Sequence, residues 1–338
     1  MNPAAGSLAY RLDPGDAEGL SAYLRQQQFL LPTESVAAVG RAGEGNMNLT
    51  LRVHTGARSL IVKQGRPWVE KYPHIPAPAA RTQVEGGFYA VVQKEPRIAG
   101  QMPRFLGLDP DASVLVLQDF PDARDFTGLY AGDVLSASVL HELVDYLGRL
   151  HKLAVPEADR ALLRNAAMRA LNHEHIFRFP LDLHNGLNLD SITDGLKALS
   201  QELCADAEYV AQVRRLSALY LDAADGVLCH GDFFPGSWLA TAAGTRIIDP
   251  EFCFLGPREF DLSVLLAHLH LAAQPEALMH SCLQLYERHA AIDRPLVSAL
   301  AGVEIMRRLI GVAQLPLRAD LAAKRQLLQL SRQLVLGT

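Results

Sequence analysis

Two short turns hold the residues best suited to chemistry. His230-Gly231-Asp232 follows the apolar run Val227-Leu228-Cys229, and Asp249-Pro250-Glu251 follows Thr245-Arg246-Ile247-Ile248. Carboxylates delivered by two such turns suit phosphoryl transfer. One can receive or orient the proton of an attacking hydroxyl, while the others hold a divalent cation that neutralises phosphate oxygens. Mg²⁺ takes hard oxygen donors and commonly uses one or two carboxylates plus substrate phosphates, which Asp249 and Glu251 can supply. Any one loop aspartate is ordinary in a solvated turn; the set of three is what points to a site.

A site of this kind needs a grip on phosphates, and the elements for one lie upstream. A short strand over Val36–Val39 breaks into a glycine loop, alternation resumes at Leu49, Leu51 and Val53, and a third strand runs Ser59–Lys63. Gly43 and Gly45 let a backbone loop approach phosphates closely, and Lys63 supplies a point charge. A hairpin turn is the ordinary alternative for such glycines. A helix is predicted over Ala79–Gln93; its Glu85 can pair with Lys63 and hold it over the phosphates, or else it is a solvated helix charge. The stretch Arg66–Ala80, rich in proline, reads as irregular and outside the sheet. A leading helix is predicted over Asp16–Phe29, and two more strands over Met102–Leu108 and Ser113–Leu117.

After Leu117 the texture changes. Residues 118–122 read as a hinge whose backbone, from Gln118 through Asp119 to Phe120, could meet an adenine edge. Residues 1–117 would form one lobe and 123–338 another, mainly helical, with helices over Val134–Leu153, Arg160–Leu171, Ile192–Asp206, Tyr209–Ala224 and within Pro275–Leu336.

Composition bounds the function. The formal charge of −5 carries no basic stripe to replace counterions along a nucleic acid, so no nucleic-acid partner is expected. The longest apolar segment, Leu262–Ala273, is too short to span a bilayer. The four cysteines are scattered without a C-x-x-C pair, and no signal peptide is legible at the N-terminus; both fit a cytoplasmic protein without structural zinc. A homodimer is left open.

The motif H-G-D-x-x-x-G-S (His230–Ser237), followed by I-D-P-E-F-x-F-x-G-P-x-x-F-D (Ile248–Asp261), resembles the aminoglycoside-phosphotransferase and choline-kinase superfamily. G-x-G-N-x-N-L (Gly43–Leu49), S-L-I-V-K-Q (Ser59–Gln64) and R-R-x-I-G-x-A (Arg307–Ala313) extend the resemblance, most strongly toward the methylthioribose kinase branch. It implies a bilobal, protein-kinase-like α+β fold with a small mixed-sheet N-lobe and a larger, mainly helical C-lobe. It also implies ATP and Mg²⁺ as partners and a small sugar as acceptor, with S-methyl-5-thioribose leading. Residue by residue, Asp232 matches the catalytic aspartate and also meets substrate. Asp249 and Glu251 match metal ligands, with Ser237 where the wider superfamily places a metal-binding Asn. Gly43, Gly45, Asn46, Asn48 and Lys63 match the nucleotide grip, and Arg307 with Arg308 matches an arginine pair facing substrate. Phe233-Phe234 replaces the usual Leu-His and would make the acceptor side more apolar.

The residues alone leave alternatives. Glu304 lies four positions before Arg308, so an intrahelical pair accounts for that arginine, while Arg307 has no such partner expected on its own face. His230 and Asp261 read as braces of the loop, Asp261 alternatively as an N-cap. A kinase for an amino alcohol or aminoglycoside, and a silent nucleotide-binding module, are the rival functions.

Overall fold

The computed structural model describes residues 8–43, 47–222 and 226–338. A five-stranded sheet of order β1-β2-β3-β7-β6 forms the N-terminal lobe from β1 (Val36–Arg41), β2 (Leu49–Thr55), β3 (Ser59–Gln64), β6 (Phe105–Asp109) and β7 (Val114–Gln118). All four pairings are antiparallel. Alternation decides the faces: Leu49, Leu51 and Val53 of β2 point inward together. Helix α1 (Ala17–Gln26), capped by Asp16, lays Leu20, Tyr23 and Leu24 on that face, making a separate core with Leu60, Val62, Val114 and Val116. Helix α2 (Arg81–Val92) covers the opposite face, and its Val84 and Phe88 join the main core of the molecule with Leu115 and Leu117.

Residues 66–80 fold more than the sequence suggested. They stay outside the main sheet, yet they form a two-stranded ribbon, β4 (Trp68–Val69) with β5 (Tyr72–Pro76). Two-stranded ribbons have no interior strand to be broken, so proline is tolerated at their ends. The ribbon's Val69, Tyr72 and Ile75 pack with Met47 against Met168, Leu171 and Phe252 of the other lobe.

A short helix α3 (Pro96–Ala99) leads into β6, and β7 gives way to β8 (Arg124–Asp125), which already pairs with β10 (Trp238–Thr241) of the C-terminal lobe. Helix α4 (Ala137–Leu150) begins at the cap Ser136 and buries Leu140, Leu143, Val144 and Leu147. The single helix expected over 160–171 is two: α5 (Glu157–Leu163) and α6 (Ala166–His173), broken where Asn165 takes φ +48°. Helices α7 (Leu196–Cys204) and α8 (Ala207–Asp222) follow, then β9 (Val227–Cys229), β10, β11 (Gly244–Ile247) and β12 (Phe254–Gly256). Helix α9 (Glu259–Leu271) is apolar nearly all round and correspondingly buried, as a central helix must be. Against it lies α11 (Arg294–Ile310), covered in turn by α12 (Leu321–Leu336), while α10 (Glu276–Glu287) packs on α4 and α9. No helix among the described residues is long and apolar enough to cross a membrane.

Candidate active site

Strand β9 ends at Cys229, and the chain must then turn sharply. Gly231 adopts φ +88°, and a Cβ there would stand 2.1 Å from the carbonyl oxygen of Phe252, so only glycine fits. The turn is pinned from below by Asp261, in the first turn of α9: its carboxylate accepts the N–H groups of His230 (2.6 Å) and Gly231 (2.9 Å) and meets His151 Nε2 (3.1 Å). Burial pushes the Asp261 carboxyl up, but the hydrogen bond and charge of His151 outweigh it and hold it below the usual range. Asp261 is therefore a brace and not an N-cap. His230, kept neutral by burial, donates from Nε2 to the Ile248 carbonyl (3.0 Å), which stitches the first turn to the second.

Asp232 emerges from this turn facing α11. One of its oxygens, Oδ1, accepts from Arg307 Nη2 (3.0 Å) and Arg308 Nη2 (2.7 Å). Glu304 ion-pairs with both arginines from below, 2.5 Å from Arg307 Nε and 2.7 Å from Arg308 Nε. The expectation that Arg307 lacks a partner on its own helix is thereby corrected: positions three and four apart both reach one carboxylate. Burial raises the Glu304 carboxyl, yet the two guanidinium groups hold it well below its ordinary value. The buried hydroxyl of Ser237 donates to the Asp232 main-chain carbonyl (2.9 Å) and stiffens the loop. Phe233 turns away from the cleft into the core, stacked on Tyr146, whereas Phe234 lies 4.8 Å from the Arg308 guanidinium. Only the second phenylalanine lends apolar character to this side.

The second turn places Asp249 at φ +68°, a left-handed conformation costly for a residue with a Cβ. Its Oδ1 lies 2.5 Å from Lys63 Nζ, and the same nitrogen donates to Glu85 Oε1 at 2.7 Å. The paired reading of Glu85 therefore holds against the solvated one, since it is fully buried. Glu85, Asp249 and Glu251 each offer an oxygen within 4.8 Å of the others. Burial, then the charge of Asp249, raises the Glu251 carboxyl well above its usual range, and burial raises Glu85 to about 7 against the opposing pull of Lys63. This is a set of hard oxygen donors with too little positive charge nearby, the composition that suits a divalent cation such as Mg²⁺.

Asn48 lies beside this cluster, its amide donating to Glu251 Oε2 at 2.6 Å. Gly43 sits at the exposed start of the glycine loop with φ +75°, while Gly45 and Asn46 fall outside the described residues. At the hinge, the main-chain N–H of Gln118 donates to the Arg104 carbonyl (2.9 Å). The Asp119 carboxylate is buried against Arg52 (2.8 Å) and Ser59 (2.7 Å), where it ties the sheet together.

Two residues near the site were not singled out from the sequence. Arg81 is buried and donates to Asn48 Oδ1 and to the carbonyls of Met47, Arg66 and Pro78, fixing the base of the ribbon and the asparagine that meets Glu251. An arginine in the first turn of a helix opposes the helix dipole, and that misfit was the available signal. Asn165, at the break between α5 and α6, donates to the Cys253 carbonyl (2.8 Å) behind the second turn. Pro180 lies against Gly311 at the arginine-bearing end of α11.

The chain is similar to known proteins along most of its length. Residues 39–295 match the model of the phosphotransferase enzyme family. A methylthioribose kinase of Exiguobacterium sibiricum is 30% identical over 258 residues, covering 73% of this chain and 64% of that protein. One of Klebsiella pneumoniae subsp. pneumoniae is 29% identical over 255 residues, 71% of this chain and 61% of that protein. The matches thus span less than two thirds of these relatives. One of Bacillus velezensis is 24% identical over 342 residues, 88% of this chain and 84% of that protein. Among solved structures, spectinomycin phosphotransferase in complex with ADP and spectinomycin is similar with TM-score 0.57 at 14% identity, covering 94% of this chain and 97% of that one. A choline kinase from Streptococcus pneumoniae gives 0.54 at 14%, covering 95% and 99%. At such identities the structural likeness speaks to the fold alone.

Proposed function

This chain belongs to the phosphotransferase enzyme family, and on that premise we propose that it transfers the γ-phosphate of ATP to a hydroxyl of a small sugar, with S-methyl-5-thioribose the leading acceptor. The observation that carries the reading is Lys63, whose one nitrogen meets both the helix carboxylate Glu85 and Asp249 of the second turn. That junction joins a phosphate-gripping strand to an acidic cluster, as phosphoryl transfer requires. We place the lobe boundary at residues 118–122, so the nucleotide would enter between the sheet and the two turns.

In this mechanism Asp232 orients the acceptor hydroxyl and takes its proton. With Oδ1 occupied by two arginines, Oδ2 is the oxygen left to meet it. Asp249 and Glu251 would hold Mg²⁺, with Asn48 keeping Glu251 in place. When bound, Mg²⁺ neutralises charge on the phosphate oxygens. Lys63 and the loop beginning at Gly43 steady the phosphates, and Arg307 with Arg308 faces the charge that develops on the transferring group. Little covalent chemistry is asked of the protein; positioning supplies the rate.

The acceptor side supports a neutral substrate. Two arginines stand against two carboxylates, Asp232 and Glu304, so the pocket offers no surplus negative charge for an ammonium group. The relatives named methylthioribose kinase agree with that preference. ADP release from Mg·ATP, measured across methylthioribose, other deoxy-pentoses, choline and aminoglycosides, tests the assignment. Turnover with methylthioribose is expected, and turnover with amines alone would overturn it.

A further inference from the structure

Behind the arginine pair a row of polar side chains runs through the core. Tyr130 Oη lies 2.5 Å from His268 Nδ1, and His268 Nε2 lies 3.2 Å from Glu304 Oε1, the oxygen that also accepts from Arg308 Nε. Tyr130, His268 and Glu304 are 4%, 0% and 3% exposed, so no solvent shares these bonds. Polar groups in such a place are costly unless every member is satisfied.

The direction of the row follows from chemistry. Glu304 is ionised between two arginines and can only accept, so His268 Nε2 carries the hydrogen. Burial pushes the imidazole down to about 4, so it is neutral and Nδ1 is bare. Tyr130 therefore donates to His268, His268 to Glu304, and Glu304 accepts the Arg308 Nε–H and ion-pairs with Arg307. The arginines in turn donate to Asp232 Oδ1. Phe234 closes the open side, with its ring 5.3 Å from His268 and 4.8 Å from the Arg308 guanidinium.

We propose that Tyr130 and His268 are positioning residues that act on Asp232 through Glu304 and the arginine pair, fixing which carboxylate oxygen is left for the acceptor hydroxyl. The inference rests on the kinase reading for its catalytic consequence, but not for its structural content. A core chosen for packing alone would fill the space between α9 and α11 with leucine.

The test compares His268→Gln, His268→Asn, His268→Leu and Tyr130→Phe. Glutamine puts an amide N–H near the place of Nε2 and can still donate to Glu304; asparagine reaches only the place of Nδ1. With Mg·ATP and methylthioribose, the Asn and Leu variants should lose about tenfold or more in kcat while Gln stays within about threefold, the size of one buried hydrogen bond to a charge. KM for ATP should not change. Tyr130→Phe should fall between Gln and Leu.

The same variants are followed by ¹⁵N NMR of the arginine Nε–H groups. Faster hydrogen exchange in Asn and Leu but not in Gln is expected. If wild-type protein turns over no acceptor, the kinase reading fails and the exchange rates alone decide the inference. Equal kcat and equal exchange in Gln and Leu would overturn it, as would losses that track thermal stability and ATP binding together.

Discussion

Asp232 is held by two arginines on one oxygen, and this asymmetry defines what its substitution should do. Asp232→Asn keeps the shape and one acceptor but loses the basic oxygen. We expect kcat to fall by about 10²–10⁴-fold, the usual worth of a positioned general base, with little change in ATP affinity measured by calorimetry. Lys63 behaves differently because it is buried between two carboxylates. Lys63→Met leaves Glu85 without its counter-charge, which costs about 3–5 kcal/mol where the stranded partner stays ionised. Glu85 can relieve part of that by taking a proton, since its pKa already stands at about 7. Adding Glu85→Gln to Lys63→Met should therefore restore stability in urea unfolding without restoring turnover.

At the scale of elements, the site depends on turns held by distant side chains. Asn165 holds the break between α5 and α6 at φ +48° and donates to the Cys253 carbonyl. Asn165→Ala loses the hydrogen bond and pays for the left-handed backbone, about 2–3 kcal/mol together, whereas Asn165→Gly should lose only the first part. Denaturant midpoints in the order wild type, Gly, Ala check this; Ala above Gly would show that the bend is not strained. The strands around Lys63 were legible in the sequence because alternation and turns are local signals, and so was the spacing of the two acidic turns. The break at Asn165 was not, because its cause lies 88 residues away at Cys253. The ribbon at 68–76 was hidden for a related reason: its prolines read locally as irregularity, while its apolar contacts are with the other lobe. The i to i+4 spacing of Glu304 and Arg308 is the more familiar helix pair, and the Arg307 ion pair uses the i to i+3 spacing beside it, so one carboxylate serves both arginines.

For the whole molecule, buried titratable groups set opposing trends with pH. His268 is depressed to about 4, and His230 is depressed by burial in the same sense. Between pH 6.5 and 4 the unfolded chain takes up a proton that His268 refuses, so its contribution to stability falls as pH falls, and His230 acts in the same direction. Glu85 is raised by burial to about 7; between about pH 4.5 and 7 it binds a proton in the folded state that the unfolded chain releases, so its contribution rises as pH falls, and Glu251, raised by burial, acts in the same direction. The net profile mixes both, and a difference separates them. Subtracting the His268→Gln profile from that of wild type should leave a stability term that declines from pH 6.5 toward pH 4; a flat difference would contradict a neutral, buried imidazole. Both lobes, the ribbon and α11 converge on the two acidic turns, and the product that leaves them reveals their chemistry. The most direct measurement is mass spectrometry and ³¹P NMR of the products after incubation with Mg·ATP and methylthioribose. One phosphate on the sugar for each ADP formed, absent with Asp232→Asn, is predicted; ADP formed with only free phosphate, or equal sugar phosphate from the variant, would contradict it.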